Sequence, residues 1–176
     1  MKKNIKSIVT KRGDGGMTSL YKGGRLSKDD IQVEAYGVLD ELCAYLGLGK
    51  SCIKSKKTKA IITSIQKDLG FICTELATKS NFLHKLNRRI GDKDIVRIDE
   101  LIAGIESKKG SQQSCFFIFG ENFTASVLDV ARTVARRLER RLVMLTRKKI
   151  IKNKYMLIYF NRLSDLLFLL ARKYEK

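Results

Sequence analysis

A row of charged side chains lies on one face of a long helical segment, residues 131–141 (ARTVARRLERR). At 100° per residue, Arg132, Arg136 and Glu139 fall within about 60° of one another. Arg140 flanks this row, whereas the other two arginines of the segment point elsewhere. Neighbouring guanidinium groups repel one another, so such a row is tolerated where solvent screens it or an anion neutralises it. The row is therefore either a solvated basic face or a binding site for an anion.

A glycine-rich polar segment, residues 8–28, contains groups suited to binding phosphate. Five of its glycines are able to take positive φ angles: Gly13, Gly15, Gly16, Gly23 and Gly24. We predict an ordered loop whose backbone N–H groups form an anion-binding nest, with hydroxyl donors from Thr10, Thr18 and Ser19. Asp14 could hold a hydrated Mg²⁺ ion beside the phosphates. Together with the arginine row, this loop points to a nucleotide triphosphate.

A third polar segment, residues 161–165 (NRLSD), separates two strongly apolar runs near the end of the sequence. One interpretation is the start of a helix at which Asn161 or Ser164 is the N-cap. The alternative is that Asn161 faces the same cavity as the arginines and hydrogen-bonds a phosphate or a metal-bound water. The residues alone leave both interpretations open.

Residues 44–51 (AYLGLGKS) are similar to the phosphate-binding loop pattern G-x-x-x-x-G-K-[ST], with alanine in place of the first glycine. Such a loop must follow a strand and open a helix, so that its N–H groups face the phosphates. Here the match falls at the end of a helix, and Gly49 is better interpreted as the residue just after the C-cap. We therefore assign no phosphate-binding loop to this segment.

Apolar residues recur at three- and four-residue steps along most of the chain, a pattern that predicts helices. The first helix begins after Asp29 and Asp30, which are suited to cap it, and the others span about 59–78, 92–106, 123–148 and 154–174. The chain contains no proline, and no strands alternate with these helices. We predict an all-α fold with one domain, residues 1–176, in which a five-helix bundle follows the glycine-rich loop.

Two of the predicted apolar stripes bear on the candidate site. The stripe of the first helix consists of Val33, Tyr36, Cys43 and Gly47. The stripe of the fourth helix consists of Val127, Ala131, Val134, Leu138, Leu142 and Leu145. Asp40 falls on the first stripe, where a carboxylate is unusual and could act as a counter-charge for one of the arginines.

The chain is strongly basic, because 36 lysine and arginine residues exceed 18 acidic ones and give a formal net charge of +18. Such a charge makes polyanions the first partners to consider, and a basic helical nucleic-acid-binding protein is an alternative function. The basic clusters contain few aromatic residues on which bases could stack, which counts against nucleic acid.

The remaining composition excludes several classes of protein. The single histidine and the spacing of Cys43, Cys52, Cys73 and Cys115 match no metal or disulfide pattern, so we predict reduced structural thiols. No apolar run is long enough to span a membrane, and the basic N-terminus lacks the apolar core of a signal peptide. We therefore expect a cytoplasmic protein.

Taken in this order, the segments resemble the PduO-type ATP:cob(I)alamin adenosyltransferase family. The matching segments are residues 10–19 (TKRGDGGMTS), 27–30 (SKDD), 33–42 (VEAYGVLDEL), 130–141 (VARTVARRLERR) and 161–165 (NRLSD). The fourth and fifth of these are highly specific to that family. The resemblance implies a five-helix bundle that assembles as a homotrimer, with ATP and the corrinoid bound at subunit interfaces.

The resemblance also implies roles for residues of this chain by position. The implied ATP-binding residues are Thr10, Lys11, Arg12, Gly13, Thr18, Ser19, Lys28, Arg136, Arg137, Glu139, Arg140 and Asn161. A salt bridge between subunits falls on Asp40 and Arg132, and the aromatic residue beneath the corrin ring falls on Phe116. These three residues and Arg136 are the ones expected to act in catalysis. The family's usual Phe-x-x-Pro-Gly-Gly reads FFIFGE here, so Phe117 or Phe119 could replace Phe116 in that role.

The implied reaction is attack by cob(I)alamin, a very strong nucleophile, on the 5′ carbon of ATP, which expels triphosphate. The protein would align the substrates, bind the departing charge through arginines and Mg²⁺, and exclude water. An aromatic ring below the corrin would keep a lower ligand off cobalt and ease its reduction. The implied protein partners are an electron-donating reductase and an enzyme that uses adenosylcobalamin. A carrier that binds ATP and corrinoid without turnover is a third possibility.

Overall fold

The structure is a computed structural model that describes residues 9–107 and 118–175. Within those ranges the elements are β1 (Met17–Ser19), β2 (Arg25–Ser27), α1 (Ile31–Cys52), α2 (Lys56–Leu76), a 3₁₀-helix (Ser80–Lys85), α3 (Asp92–Glu106), α4 (Phe123–Arg147) and α5 (Lys154–Lys173). The predicted helices are present, and their predicted starts agree with the observed starts to within three residues. The mostly helical character of the fold is therefore confirmed.

Side-chain caps fix where the helices begin. At the start of α1, Asp30 accepts a hydrogen bond from the N–H of Gln32 at 2.7 Å, which confirms the predicted cap. At the start of α5, Asn153 accepts one from the N–H two residues further on, at 3.1 Å. Asn161 and Ser164 lie inside α5, so their interpretation as N-caps is wrong. Seven residues of α5, about two turns, precede the polar segment.

The bundle is built around α4, which packs against α1 on one side and α5 on the other. α2 lies beside α1, and α3 lies beside α5. All the residues of the predicted stripe of α4 are buried, because that stripe faces both neighbouring helices. None of the helices in the described ranges is long and apolar enough to cross a membrane.

The buried face of α1 differs from the predicted stripe. The buried residues of α1 are Ala35, Val38, Leu39, Leu42, Leu46 and Gly49. The predicted residues Val33, Tyr36, Cys43 and Gly47 are only partly buried. Asp40 is exposed, so its predicted position on a buried stripe is wrong. Apolar residues occur on more than one side of α1, and their spacing therefore fits two adjacent faces.

Gly49 does not end α1, since the helix continues to Cys52. A Cβ atom at position 49 would lie 3.4 Å from Leu128 Cδ2 and 3.5 Å from Val127 Cγ1 on α4. The glycine thus lets α1 and α4 approach closely, and its predicted place beyond the C-cap is wrong. Residues 44–51 lie within the helix, as a phosphate-binding loop would not.

A β-hairpin that the sequence analysis does not predict lies within the glycine-rich segment. β1 and β2 are antiparallel, with Met17 opposite Ser27 and Ser19 opposite Arg25. Gly23 and Gly24 adopt φ angles of +111° and +101° in the connection. The fold is therefore mostly helical with a small two-stranded sheet, rather than all-α with a loop. Strands of three residues are too short to show an alternating pattern.

The hairpin is fixed to the end of α2 through its connection. The N–H of Lys22 donates to the carbonyl of Ala77 at 3.3 Å, and the N–H of Lys79 donates to the carbonyl of Lys22 at 3.0 Å. Leu20, at the end of β1, is buried with 7% of its surface exposed. These contacts hold the glycine-rich segment against the bundle.

Candidate functional site

A cavity of about 400 Å³ lies in the segment that contains the hairpin. Its lining residues come from the strands and from the chain on either side of them: Thr10, Arg12, Gly13, Met17, Thr18, Ser19, Arg25 and Lys28. Six of these eight are residues that the sequence analysis proposes for ATP binding. Positions up to 18 residues apart in sequence thus meet around one cavity.

The turn before β1 brings Gly13 next to Lys28. Lys11 has a φ of +56° and accepts a hydrogen bond from the N–H of Asp14 at 3.3 Å. Gly16 has a φ of +75°, and its carbonyl accepts from the N–H of Lys28 at 2.8 Å. A Cβ atom at position 13 would lie 3.2 Å from Lys28 Nζ, which leaves room for a glycine but little more. The backbone and this ammonium group therefore line the cavity together.

Arg25 holds the cavity in shape from β2. Its guanidinium donates to the carbonyl of Arg12 and, at 3.5 Å, to the carbonyl of Met17. The sequence pattern does not predict that Arg25 and Met17 line the cavity. Their positions depend on the register of the β1–β2 hairpin, which the pattern does not predict either. The register supplies the missing signal, since Arg25 pairs with Ser19, which is a predicted site residue.

The chemistry of the lining favours an anion. Arg12, Arg25 and Lys28 supply three positive charges, and the described residues that line the cavity include no carboxylate. Hydroxyl groups of Thr10, Thr18 and Ser19 add donors. Several phosphate groups in a chain would meet both the charges and the donors that this arrangement offers.

The arginines of α4 separate into two sets. Arg137 pairs with Glu41 on α1, and Arg141 lies 3.6 Å from Glu34, also on α1. Arg136 and Arg140 are exposed, and Arg140 Nη1 donates to the carbonyl of Arg136 at 3.3 Å. The predicted division between a row and two arginines that point elsewhere agrees with these contacts.

Within one chain, the structure does not bring the α4 row to the cavity. None of Arg132, Arg136, Arg137, Glu139 and Arg140 is among the lining residues. Glu139 is half-buried on α4, and Asn161 is exposed on α5, where its side-chain oxygen accepts from Arg162 at 2.8 Å. Their convergence with the cavity on one nucleotide stays a prediction.

Asn161 nevertheless lies near the level of Arg140 on the neighbouring helix. α4 and α5 run antiparallel, and Arg172 on α5 pairs with Asp129 on α4. Asn161 lies eleven residues before Arg172, and Arg140 lies eleven residues after Asp129. Both helices rise about 1.5 Å per residue, so these two exposed side chains occupy about the same height on the bundle.

Asp40 and Arg132 do not pair within the chain. Arg132 Nε donates to Asp129 on its own helix at 3.0 Å, whereas Asp40 is exposed on α1. Burial, and then the charge of Asp40, raise the pKa of the Cys43 thiol to about 11. Asp40 therefore lies on the side of α1 that carries Cys43, and its pairing with Arg132 of another subunit stays a prediction.

The aromatic segment before α4 is described only in part. Phe116 and Phe117 lie outside the described residues. Phe119 is 49% exposed, and its ring centre lies 5.3 Å from the guanidinium carbon of Arg132. Of the three aromatic candidates, Phe119 is thus placed beside a residue of the predicted catalytic set.

Fold and cavity define a helical-bundle protein with a site suited to a polyphosphate. The described residues contain no group of three or more histidine, cysteine, aspartate or glutamate side chains that could hold a metal ion.

Comparisons with known proteins then identify the family. The family model described as cobalamin adenosyltransferase matches residues 8–174. The corrinoid adenosyltransferase of Citrobacter freundii is 39% identical over 165 residues, which cover 94% of this chain and 93% of that protein. The chain belongs to the cobalamin adenosyltransferase family, which confirms the resemblance found in its motifs.

Solved structures of the PduO type share the fold. A variant of the ATP:corrinoid adenosyltransferase from Lactobacillus reuteri complexed with ATP has a TM-score of 0.84 and 35% identity, covering 96% of this chain and 94% of that one. A second variant, complexed with cobalamin and ATP, has a TM-score of 0.86 and 34% identity, covering 96% and 93%.

Proposed function

We propose that this protein is an ATP:cob(I)alamin adenosyltransferase, which transfers the 5′-deoxyadenosyl group of ATP to cobalt and releases triphosphate. Family membership over nearly the whole chain supports this activity, as do the complexes with cobalamin and ATP of structurally similar relatives. The observation that carries the proposal to this chain's own residues is the cavity. It is lined by Thr10, Arg12, Gly13, Thr18, Ser19 and Lys28, which the family resemblance assigns to ATP by position.

In the proposed reaction the cavity holds the triphosphate that becomes the leaving group. Cobalt donates an electron pair to the 5′ carbon, the cobalt–carbon bond forms, and the bond from that carbon to oxygen breaks. Arg12 and Lys28 stabilise the negative charge that the leaving oxygen gains, and hydroxyl groups of Thr18 and Ser19 donate to the phosphates. No base is required, because the nucleophile carries no proton to remove.

Mg²⁺ fits the site as an ion carried by the nucleotide. Asp14 is an exposed carboxylate in the turn beside the cavity. A single carboxylate suits an ion that keeps several waters and binds mainly to phosphate oxygens. The ion would supply further charge neutralisation of the triphosphate.

The exposed α4 residues fit a homotrimer in which two chains complete each site. Arg136, Arg140 and Asn161 would approach the triphosphate from a neighbouring subunit, with Arg137 and Glu139 beside them. Asp40 would pair with Arg132 across the same interface. Residues 1–28 form the nucleotide-binding part of a single domain, 1–176, and Phe116, Phe117 or Phe119 closes the lower face of the corrin.

The reaction needs partners that supply its substrate and use its product. Cobalt must be reduced to the +1 state, so an electron-donating reductase precedes the transfer. An adenosylcobalamin-dependent enzyme takes the product, and we place all three proteins in the cytoplasm. Turnover in the assay below separates this enzyme from a carrier that only binds ATP and corrinoid.

The test is a spectroscopic assay with chemically reduced cobalamin and MgATP, in which adenosylcobalamin forms. In Lys28→Gln, loss of one charge-assisted contact should raise the KM for ATP about tenfold or more. The matched control is Lys152→Gln, which removes an equally exposed lysine from the α4–α5 turn and should leave KM within about twofold. Equal effects of the two variants would remove the cavity from the proposed ATP site, and absence of product from the wild type would contradict the activity.

A further inference from the structure

A buried cluster of charges joins the start of α4 to the end of α5. Asp129 lies at its centre, because its two carboxylate oxygens have different partners. Oδ1 accepts from Arg132 Nε at 3.0 Å, and Oδ2 accepts from Arg172 Nη2. Arg172 Nη1 in turn lies 2.8 Å from Glu175 Oε1. The cluster contains two cations and two anions, so it is neutral as a whole.

This cluster is shielded from solvent to an unusual degree. Asp129 is 6% exposed and Arg172 is 2% exposed. Buried charges are retained at low cost only where they are paired and hydrogen-bonded, so the geometry of the cluster is tightly determined. Arg132 lies at its outer side, with 18% of its side chain exposed. A rigid buried pair therefore supports a residue that reaches toward solvent.

Phe119 connects the same cluster to the aromatic segment. Its ring centre lies 5.3 Å from the guanidinium carbon of Arg132 and 5.2 Å from that of Arg172. Both arginines thus lie within the range of a cation–π contact with a single ring. The chain just before α4 is held at this point by the two arginines that Asp129 connects.

We propose that Asp129 is a positioning residue, which acts through Arg132 and Phe119 on the corrinoid side of the site. A hydrogen bond at Nε fixes the plane of the Arg132 guanidinium, and with it the direction of the edge between its two Nη atoms. The Nη edge then faces a neighbouring carboxylate or substrate in one orientation. Arg172 fixes the carboxylate itself. This inference rests on the proposed function, in which Arg132 and the aromatic segment contribute to the corrinoid site.

The experiment compares Asp129→Asn with Glu175→Gln. Both variants remove one charge from the partners of Arg172, but only the first changes the partner of Arg132. We expect Asp129→Asn to lower kcat/KM for the corrinoid about tenfold while the KM for ATP changes less than about twofold. Glu175→Gln should leave both constants within about twofold. If both variants lower the melting temperature equally and neither changes the corrinoid constants, Asp129 is only structural and the proposal is wrong.

A double-mutant cycle adds a readout that a structural role would not move. In an Arg132→Ala background, Asp129→Asn should cause a much smaller loss of corrinoid affinity than it does in the wild type, measured by equilibrium titration with cob(II)alamin. Additive losses would overturn the proposal. This titration requires no turnover, so a wild type that binds corrinoid without forming product contradicts the proposed activity alone.

A second variant keeps the test decisive if Asp129→Asn does not fold. The double replacement Asp129→Asn with Arg172→Gln removes one anion and one cation, so no uncompensated charge stays buried. Arg132 still loses a charged acceptor at Nε. The same loss of corrinoid affinity is expected, and wild-type affinity in the folded double variant would overturn the proposal.

Discussion

Asp40 shows how an exposed carboxylate changes the chemistry of single residues around it. Burial is the larger cause and the charge of Asp40 the second in raising the pKa of Cys43 to about 11. The same two causes raise the pKa of the Cys73 thiol. Because the thiolate is the reactive form, both cysteines are weak nucleophiles near neutral pH. Cys43 and Cys73 behave as small apolar residues at the α1–α2 contact, in agreement with the prediction of structural thiols. Cys52 is exposed, and Cys115 lies outside the described residues.

Alkylation should therefore distinguish the cysteines. At pH 8 a thiol with a pKa of about 11 is ionised to only about one part in a thousand. Cys52 is exposed at the end of α1, so iodoacetamide should modify it much faster than Cys43. Peptide mass spectrometry after timed labelling gives both rates, and labelling in urea is the control in which the rates should converge. Equal rates in the folded protein would contradict the shielding of Cys43.

The site residues show which contacts a sequence pattern can reveal. Thr18 and Ser19 are predictable because glycines and hydroxyl residues occur together in one short segment. Arg25 is not, because it reaches the cavity through the register of β1 and β2. Arg137 is a similar case, since its pairing with Glu41 joins positions 96 residues apart on different helices. Periodicity gives the direction of a side chain on its helix but not its partner.

At the scale of helices, a polar network inside the bundle joins α2, α3 and α5. Tyr159 is fully buried on α5, and its hydroxyl donates to Asp68 Oδ2 on α2 at 2.7 Å. Arg97 on α3 donates to the same oxygen. Burial and the charge of Asp68 raise the pKa of Tyr159 well above its ordinary value, so the hydroxyl keeps its proton and remains a donor. Three helices are thereby held in one relative arrangement.

Removing this hydroxyl should destabilise the fold without affecting the reaction. In Tyr159→Phe, one hydrogen bond to a buried carboxylate is lost, and the free energy of unfolding should fall by about 1–3 kcal/mol. Tyr155→Phe, on the same helix but only half-buried, is the matched control and should change it by less than about 0.5 kcal/mol. Urea unfolding at one fixed protein concentration measures both. A loss of kcat in Tyr159→Phe at a temperature where the protein is folded would show that the network contributes to the site.

The two longest helices explain why some elements are predictable and others are not. On α4, most apolar residues lie opposite most charged ones, so the predicted stripe lies within the observed buried face, which also contains Asp129. On α1, apolar residues surround much of the helix, and the observed face is set by α2 and α4 packing against it. Gly49 on α1 is such a position, because the absence of a side chain there lets α4 approach α1 closely. At such positions, contacts between helices rather than the spacing of apolar residues determine which residues are buried.

At the scale of the whole molecule, the cavity and the exposed arginines of α4 are two cationic surfaces that do not meet within one chain. The described residues that line the cavity all lie between Thr10 and Lys28. Arg136 and Arg140 are exposed on another part of the bundle. Two guanidinium groups on an exposed face gain most from a polyphosphate if a neighbouring chain brings it to them. A site shared between subunits therefore accounts for both surfaces.

Mixing two impaired chains tests this shared site directly. Lys28→Gln damages the cavity and Arg136→Ala damages α4, so in a shared site some interfaces of a mixed trimer combine two undamaged surfaces. Each trimer that contains both chains has one interface of three with both surfaces undamaged, so trimers purified through two different affinity tags should recover about one third of the wild-type kcat/KM for ATP. Either variant alone should keep about one tenth of it or less. Arg136→Ala mixed with Arg140→Ala is the control, because both changes lie on the same surface and no interface is restored. If the kcat/KM of doubly tagged trimers of the first pair is as low as that of the control pair, each chain forms its own site. The proposed arrangement across subunits is then wrong.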